Sequence, residues 1–161
     1  LAREHTVGVL CDRLERLFRT ADRAQFVRPV GTSVPKFVYL DMEEYRDKEL
    51  TAAAFMRTLD RDGLQHVRAG IALQSYIPDS FRTLLQLQQW ARRRVESGGG
   101  RITIRLVKGA NMESERAESS VRGWPQAPRD TTMPAPQVVD FQGLPVAGKL
   151  YIKTHGCQMN E

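Results

Sequence analysis

The sequence has little cysteine, few aromatic residues and no long apolar run. Its two cysteines, Cys11 and Cys157, stand far apart and form no CxxC. No disulfide framework is expected from them, and the pair suits a reducing cytoplasm. No stretch of eighteen apolar residues occurs, so no membrane-spanning helix is expected. The N-terminal segment LAREHTVGVL lacks the layout of a signal peptide and does not open on Met, and it reads as a chain entered partway through. A GxGxxG loop is missing after every apolar run, which weighs against a nucleotide-binding open sheet. Aromatics make up only 7% of the chain and do not alternate with the basic residues, so a stacking surface for nucleic acid is not expected.

What is present is ordinary globular texture. The 161 residues are 41% hydrophobic and 27% charged, enough for one soluble domain. The net charge of +5 comes from arginines spread along predicted helices. The one tight cluster, Arg92-Arg93-Arg94, lies near a predicted helix end, where cations complement the dipole in solvent. No nucleic-acid partner is expected.

Val7, Leu10, Leu14, Leu17 and Phe18 have helical spacing, predicting an amphipathic helix over residues 4–22 with Cys11 as a small core residue. A polar loop with Pro29, Gly31 and Pro35 follows. Phe37-Val38-Tyr39-Leu40, ending in Asp41, reads as a buried strand. Ala52, Phe55, Met56 and Leu59 predict a helix over 47–61, stopped by Asp62-Gly63. Residues 70–76 read as the next strand. Asp79 or Ser80 caps a third helix, whose inner face is Leu84, Leu87, Ala91 and Val95 and whose end is Gly98-Gly99-Gly100. Residues 102–107 give a third strand, and 112–122 open another helix.

Strand centres near 39, 73 and 104 lie about 34 and about 31 residues apart, the repeat of a strand–helix unit. Apolar strands alternating with amphipathic helices indicate a parallel sheet covered by helices, either an open sheet or part of a (βα)₈ barrel. A closed barrel typically needs about 250 residues, so this α/β unit is expected to be incomplete. Residues 129–147, with Pro134, Pro136 and Pro145, read as a linker. The irregular tail ends in a short alternating strand, KLYIK, and Thr154-His155-Gly156-Cys157.

The most telling segment is residues 101–111, RITIRLVKGAN. It places Arg105 inside an apolar strand that breaks on Lys108-Gly109-Ala110. A guanidinium buried there costs several kcal/mol unless something electron-rich meets it. A ligand site and a structural ion pair both satisfy that requirement. In parallel α/β folds reactive groups gather at the carboxyl ends of strands, and Asp41, Gln74 with Tyr76, and Arg105 with Lys108 all lie at such ends. An acceptor, a neutral amide and cations converging from consecutive strands suit a polar heterocycle better than a bare phosphate. His5 and His66 are isolated and read as surface residues.

FVYLDMEEYRD, AGIALQSYIPDS, ITIRLVKGAN and GWPQAP resemble, in this order and at natural intervals, the proline dehydrogenase barrel of bacterial bifunctional proline-utilisation enzymes. The likeness covers about residues 7–128. It implies an FAD-dependent oxidoreductase of proline catabolism that converts L-proline to Δ1-pyrroline-5-carboxylate, with hydride passing to flavin N5 and electrons going on to membrane quinones. By motif, Gln74 and Arg105 resemble the side chains that contact the flavin ring. Val107, Gly109 and Ala110 resemble the wall of the cofactor site, with Lys108 inside the same motif. Asp41 resembles the acidic residue beside the proline pocket, so Asp41 and Arg105 are the expected catalytic pair. Asn111 stands where some relatives carry an aromatic.

The resemblance also implies what is absent: the lysine-bearing strand before the first helix, the last three strands, and the final helix with its paired arginines. A fragment inactive alone is therefore expected, with FAD retention an open question and self-association through exposed strand edges. Residues 148–161, GKLYIKTHGCQMNE, resemble the opening of the radical-SAM tRNA methylthiotransferases that act on isopentenyl-adenosine. Cys157 matches the first of three ligands to a [4Fe–4S] cluster there, and one thiolate cannot hold such a cluster. No metal site is expected from the rest of the chain. The domain reading is thus 1–128 barrel, 129–147 linker and 148–161 methylthiotransferase-like. A proline dehydrogenase fragment, an iron–sulfur RNA-modifying fragment and a chimeric product without activity are the three functional alternatives.

Overall fold

The computed structural model describes residues 2–41, 44–77, 79–107, 109 and 112–123. Helix α1 (Ala2–Arg23) leads into strands β1 (Gln25–Val27), β2 (Ser33–Pro35) and β3 (Val38–Leu40). A one-turn 3₁₀ helix (Tyr45–Asp47) precedes α2 (Lys48–Leu59). Then come β4 (Ala69–Gln74), α3 (Ser80–Glu96), β5 (Ile102–Val107) and α4 (Met112–Arg122). The three later strands form one sheet in the order β3-β4-β5. Both pairings are parallel, with Leu40 beside Ile71 and Ile71 beside Ile104. This is the expected α/β unit, with a helix after each strand, consistent with part of a (βα)₈ barrel.

The two faces of the sheet differ in chemistry. Residues paired across a parallel ladder share a face and alternate along each strand. Val38, Leu40, Ala69, Ile71, Ile102 and Ile104 turn to the helices and meet Phe18, Phe55, Leu59, Leu87 and Trp90. The aromatic rings meet edge-on, Phe18 to Phe55 at 6.3 Å and Phe55 to Trp90 at 5.8 Å. Each fully buried side chain of this size contributes about 1.5–3 kcal/mol, which makes this layer the core. The opposite face carries Tyr39, Gly70, Ala72, Gln74, Thr103, Arg105 and Val107. It mixes small residues, Gly70 and Ala72, with polar ones, Gln74, Thr103 and Arg105, beside the Tyr39 ring.

Three expectations need correction. Pro29, Gly31 and Pro35 lie in or beside an antiparallel hairpin, β1 with β2, and not in a plain loop. Each strand has three residues and is largely exposed, so no hydrophobic alternation marks it. Its turn closes through Gly31, whose φ of 81° suits glycine. Strand β5 is half-exposed, because no further strand flanks it among the described residues, and Leu106 is 41% exposed. The buried stripe of α3 is Ser80, Thr83, Leu87, Trp90 and Arg94, while Val95 faces solvent. Polar residues on that stripe hid it from a hydrophobic count.

Arg94 is the sharpest departure. Arg92 and Arg93 are exposed, as expected of the basic cluster, but Arg94 is buried. Its guanidinium donates to the carbonyls of Leu59, Leu64, Val67 and Gly100. It also lies 5.5 Å over the Trp90 ring, whose indole N–H donates to Asp60 at 2.9 Å. Burial lowers the arginine's pKa from its usual value, partly offset by Asp60 at 4.0 Å. Gly100 makes the same joint tight, since a Cβ there would lie 2.4 Å from the His66 carbonyl oxygen.

Helix α1 packs on α2 through Val7, Cys11 and Ala54, with Leu10, Leu14 and Leu50 around them. Cys11 is a buried free thiol, as its apolar position predicts, but Leu17 falls outside the stripe and is exposed. His5 and His66 are both exposed, and His66 pairs with Asp22 at 2.8 Å. Glu15 bonds Arg61 at 2.6 Å and Arg19 at 2.8 Å. Those hydrogen bonds hold its carboxyl below the ordinary 4.5. A depressed carboxylate adds stability above its unfolded pKa and loses it as pH falls through the folded one. We therefore expect Glu15→Gln to narrow the gap in Tm between pH 7 and pH 3 relative to the parent; an unchanged gap would show that this pair contributes nothing.

Candidate functional site

Of the expected site residues, Asp41, Gln74, Arg105 and Val107 lie in the carboxyl halves of the strands or directly after them. Asp41 directly follows β3, Gln74 ends β4 beside Val107 of β5, and Arg105 lies beside Ala72. Arg105 Nη2 donates to Asp41 Oδ2 in a short ion pair, the side chains being 35% and 61% exposed. The cation in the strand thus has a carboxylate partner and is only partly removed from water, which lowers the cost anticipated for a fully buried strand. Gln74 is 1% exposed. The Ser75 N–H and hydroxyl both bond the Val107 carbonyl, at 2.8 and 2.9 Å, tying together the ends of β4 and β5. Gly109 is exposed, and a Cβ there would meet no described residue within 4 Å. Lys108, Ala110, Asn111 and Cys157 lie outside the described residues, as do 129–147 and the KLYIK strand.

The arginine rests on a platform that the sequence reading missed. Its guanidinium carbon lies 5.4 Å over the Tyr39 ring, within cation–π range. That ring crosses β4 at Gly70, where a Cβ would fall 2.6 Å from Cε2. Phe37 flanks it at 5.5 Å, and partial burial raises the phenol's pKa. Phe37, Tyr39 and Asp41 share one parity in and beside β3, whereas Val38 and Leu40 enter the core. That alternation was the available signal.

A second polar group sits behind this edge. The Tyr45 N–H donates to Glu115 Oε1 at 2.7 Å, and its phenol to Asp79 Oδ2 at 2.8 Å. The hydrogen bond to Asp79, then burial, raises the pKa of Tyr45. Lys48, 2% exposed, stands 3.8 Å from Asp79 and 5.3 Å over the Tyr45 ring, and burial lowers its pKa. Asp79 occupies the predicted cap position of α3 but makes no capping bond, because Tyr45 and Lys48 engage its carboxylate. Among the described residues no group of three His, Cys, Asp or Glu side chains could hold a metal. No helix among them is long and apolar enough to cross a membrane.

Comparison with known proteins decides the family. The family model "Proline dehydrogenase" matches residues 2–135. The chain belongs to that family. Its members are oxidoreductases of proline catabolism and are FAD-dependent in general. Among solved structures, proline utilization A from Corynebacterium freiburgense is 40% identical, with a TM-score of 0.68 over 80% of this chain and 13% of its own. Proline utilization A from Bdellovibrio bacteriovorus, inactivated by N-propargylglycine, is 32% identical, with a TM-score of 0.67 over 81% of this chain and 12% of its own. The chain therefore spans only 13% and 12% of the length of these two relatives. No curated protein matches it. The family match runs past residue 128 and stops short of residues 148–161, so the methylthiotransferase resemblance lies outside both the match and the described residues.

Proposed function

We propose that the chain is a segment of a flavin-dependent proline dehydrogenase that presents one wall of the FAD site and does not turn over proline alone. The observation that carries this is Arg105, held on the inner face of a parallel sheet by Asp41 and Tyr39, with Gln74 and Val107 one step further along the same face. A cation and a fixed amide at the carboxyl edge fit the polar edge of an isoalloxazine ring. Arg105 and Gln74 would hold that ring, with Val107, Gly109 and Ala110 as backbone wall. When bound, FAD would supply the two-electron oxidant for the C5–N bond of proline. Arg105 stabilises negative charge at the ring edge. Asp41 orients Arg105 and borders the substrate pocket.

Proline is the substrate class and a membrane quinone the electron acceptor; the location is cytoplasmic. The division at 128 and 147 separates this unit from the linker and tail. Self-association is expected through the outer edges of β3 and β5, which pair with no further strand among the described residues, because open strand edges pair with other chains. Substrate anchors supplied by the rest of a relative's barrel contribute much of the rate through positioning.

Two measurements test this. FAD fluorescence should be quenched on titration with the chain, and Arg105→Met should weaken binding about tenfold, the weight of one charge-assisted hydrogen bond. Proline-dependent dye reduction should be absent. Turnover by the isolated chain would overturn the fragment reading, and FAD affinity unchanged in Arg105→Met would overturn the site.

A further inference from the structure

Both later strand–helix units grip a single residue that follows β3. Tyr45 opens the 3₁₀ helix Tyr45–Asp47, so its N–H has no acceptor within that helix. It donates instead to Glu115, in the first turn of α4 and 70 residues away in sequence. The phenol of the same residue donates to Asp79, at the start of α3 and 34 residues away. Glu115 is 4% exposed, and its place in the first turn puts the carboxylate where the helix dipole favours it. Lys48 adds a buried ammonium beside Asp79.

Asp41 itself is 61% exposed on its side chain, so packing around the carboxylate does little to fix it. What can fix it is the chain on either side. Before it, β3 is pinned by the Leu40–Ile71 register. Among the described residues that follow it, the first bonded to a distant element is Tyr45. A site group is held to within a fraction of an ångström only when the residues behind it are locked.

We infer that Glu115 and Asp79 are positioning residues, which grip Tyr45 from two sides and thereby hold Asp41 against Arg105. The inference rests on reading Asp41 and Arg105 as part of the flavin site. Glu115 and Asp79 touch neither of them; they act through Tyr45.

The test uses the full chain labelled with ¹⁵N-arginine, reading the Arg105 Nε–H resonance, with Asp41→Asn marking its position when the pair is broken. Glu115→Ala should move the resonance toward the Asp41→Asn position and weaken FAD binding about tenfold. Glu115→Gln keeps an acceptor oxygen and should leave the resonance in place, with affinity within about twofold of the parent. A purely structural Glu115 would lower Tm in Glu115→Ala without moving Arg105, and that result overturns the inference. Should Glu115→Ala not fold, Tyr45→Phe, which removes the phenol bond to Asp79, serves in its place, and an unmoved Arg105 resonance there overturns it equally. A moved resonance in a chain that binds no FAD leaves the positioning role standing and defeats the flavin reading; FAD binding with an unmoved resonance does the reverse.

Discussion

Replacing Arg94 by methionine should cost about 3–5 kcal/mol, a large part of the stability expected of a domain of this size. Two effects compete. Burying a guanidinium carries a desolvation penalty, and a well-packed apolar residue can match or improve on some buried ion pairs. That exchange works when both charges are removed together. Here the partners are backbone carbonyls, which cannot be removed. In Arg94→Met, Leu64 keeps a bond from the Val67 N–H at 3.0 Å, but the carbonyls of Leu59, Val67 and Gly100 lose their guanidinium donor. Unsatisfied buried acceptors cost about 1–3 kcal/mol each, so the loss outweighs the relief. Arg94→Lys, with one compact donor head, should fall between. Arg93→Met, at an exposed position, should stay within about 0.5 kcal/mol of the parent. Urea unfolding followed by circular dichroism separates these variants, and Arg94→Met unfolding alongside Arg93→Met would refute the role given to the buried arginine.

Gly70→Ala should damage both stability and the site. The new Cβ would lie 2.6, 2.7 and 2.8 Å from three atoms of the Tyr39 ring, closer than any real carbon contact. The ring is rigid and must swing away, taking the platform from under Arg105. Overpacking of this kind costs about 1–3 kcal/mol, and FAD binding should weaken beyond detection of a simple titration. The contrast is Gly8→Ala in α1, where a Cβ would meet no other described part of the chain within 4 Å, which should stabilise the chain by about 0.5–1 kcal/mol through helix propensity. A double variant, Gly70→Ala with Tyr39→Ala, removes the clash and should recover stability relative to Gly70→Ala without recovering FAD binding. Recovery of both would mean that Tyr39 fills space and does not support Arg105.

The helices and strands were legible because their apolar spacing is regular. α1, α2 and the strands of the parallel sheet lie within a few residues of the predicted bounds. The hairpin β1–β2 was not legible, since three-residue exposed strands carry no period. The proposed site was legible in part. Asp41, Gln74, Arg105 and Val107 stand out as polar or boundary residues at strand ends, and the fold brings Asp41 onto Arg105 across 64 positions. Tyr39 was hidden because it looks like one more apolar strand residue. Glu115 and Lys48 were hidden because charged residues on amphipathic helices are normally solvated.

By itself the sequence determined the order of the α-helices and the parallel strands, the parallel α/β class and the segment that carries the cation, because these follow from local periodicity and from motifs contiguous in the chain. Only the tertiary structure decided that Arg105 pairs with Asp41 over Tyr39, that Arg94 leaves its basic cluster to join four carbonyls, and that Tyr45 is held from two helices. Each of these depends on which groups meet after the strands take their register, and the free energy of a charge is set by those neighbours and not by its place in the chain.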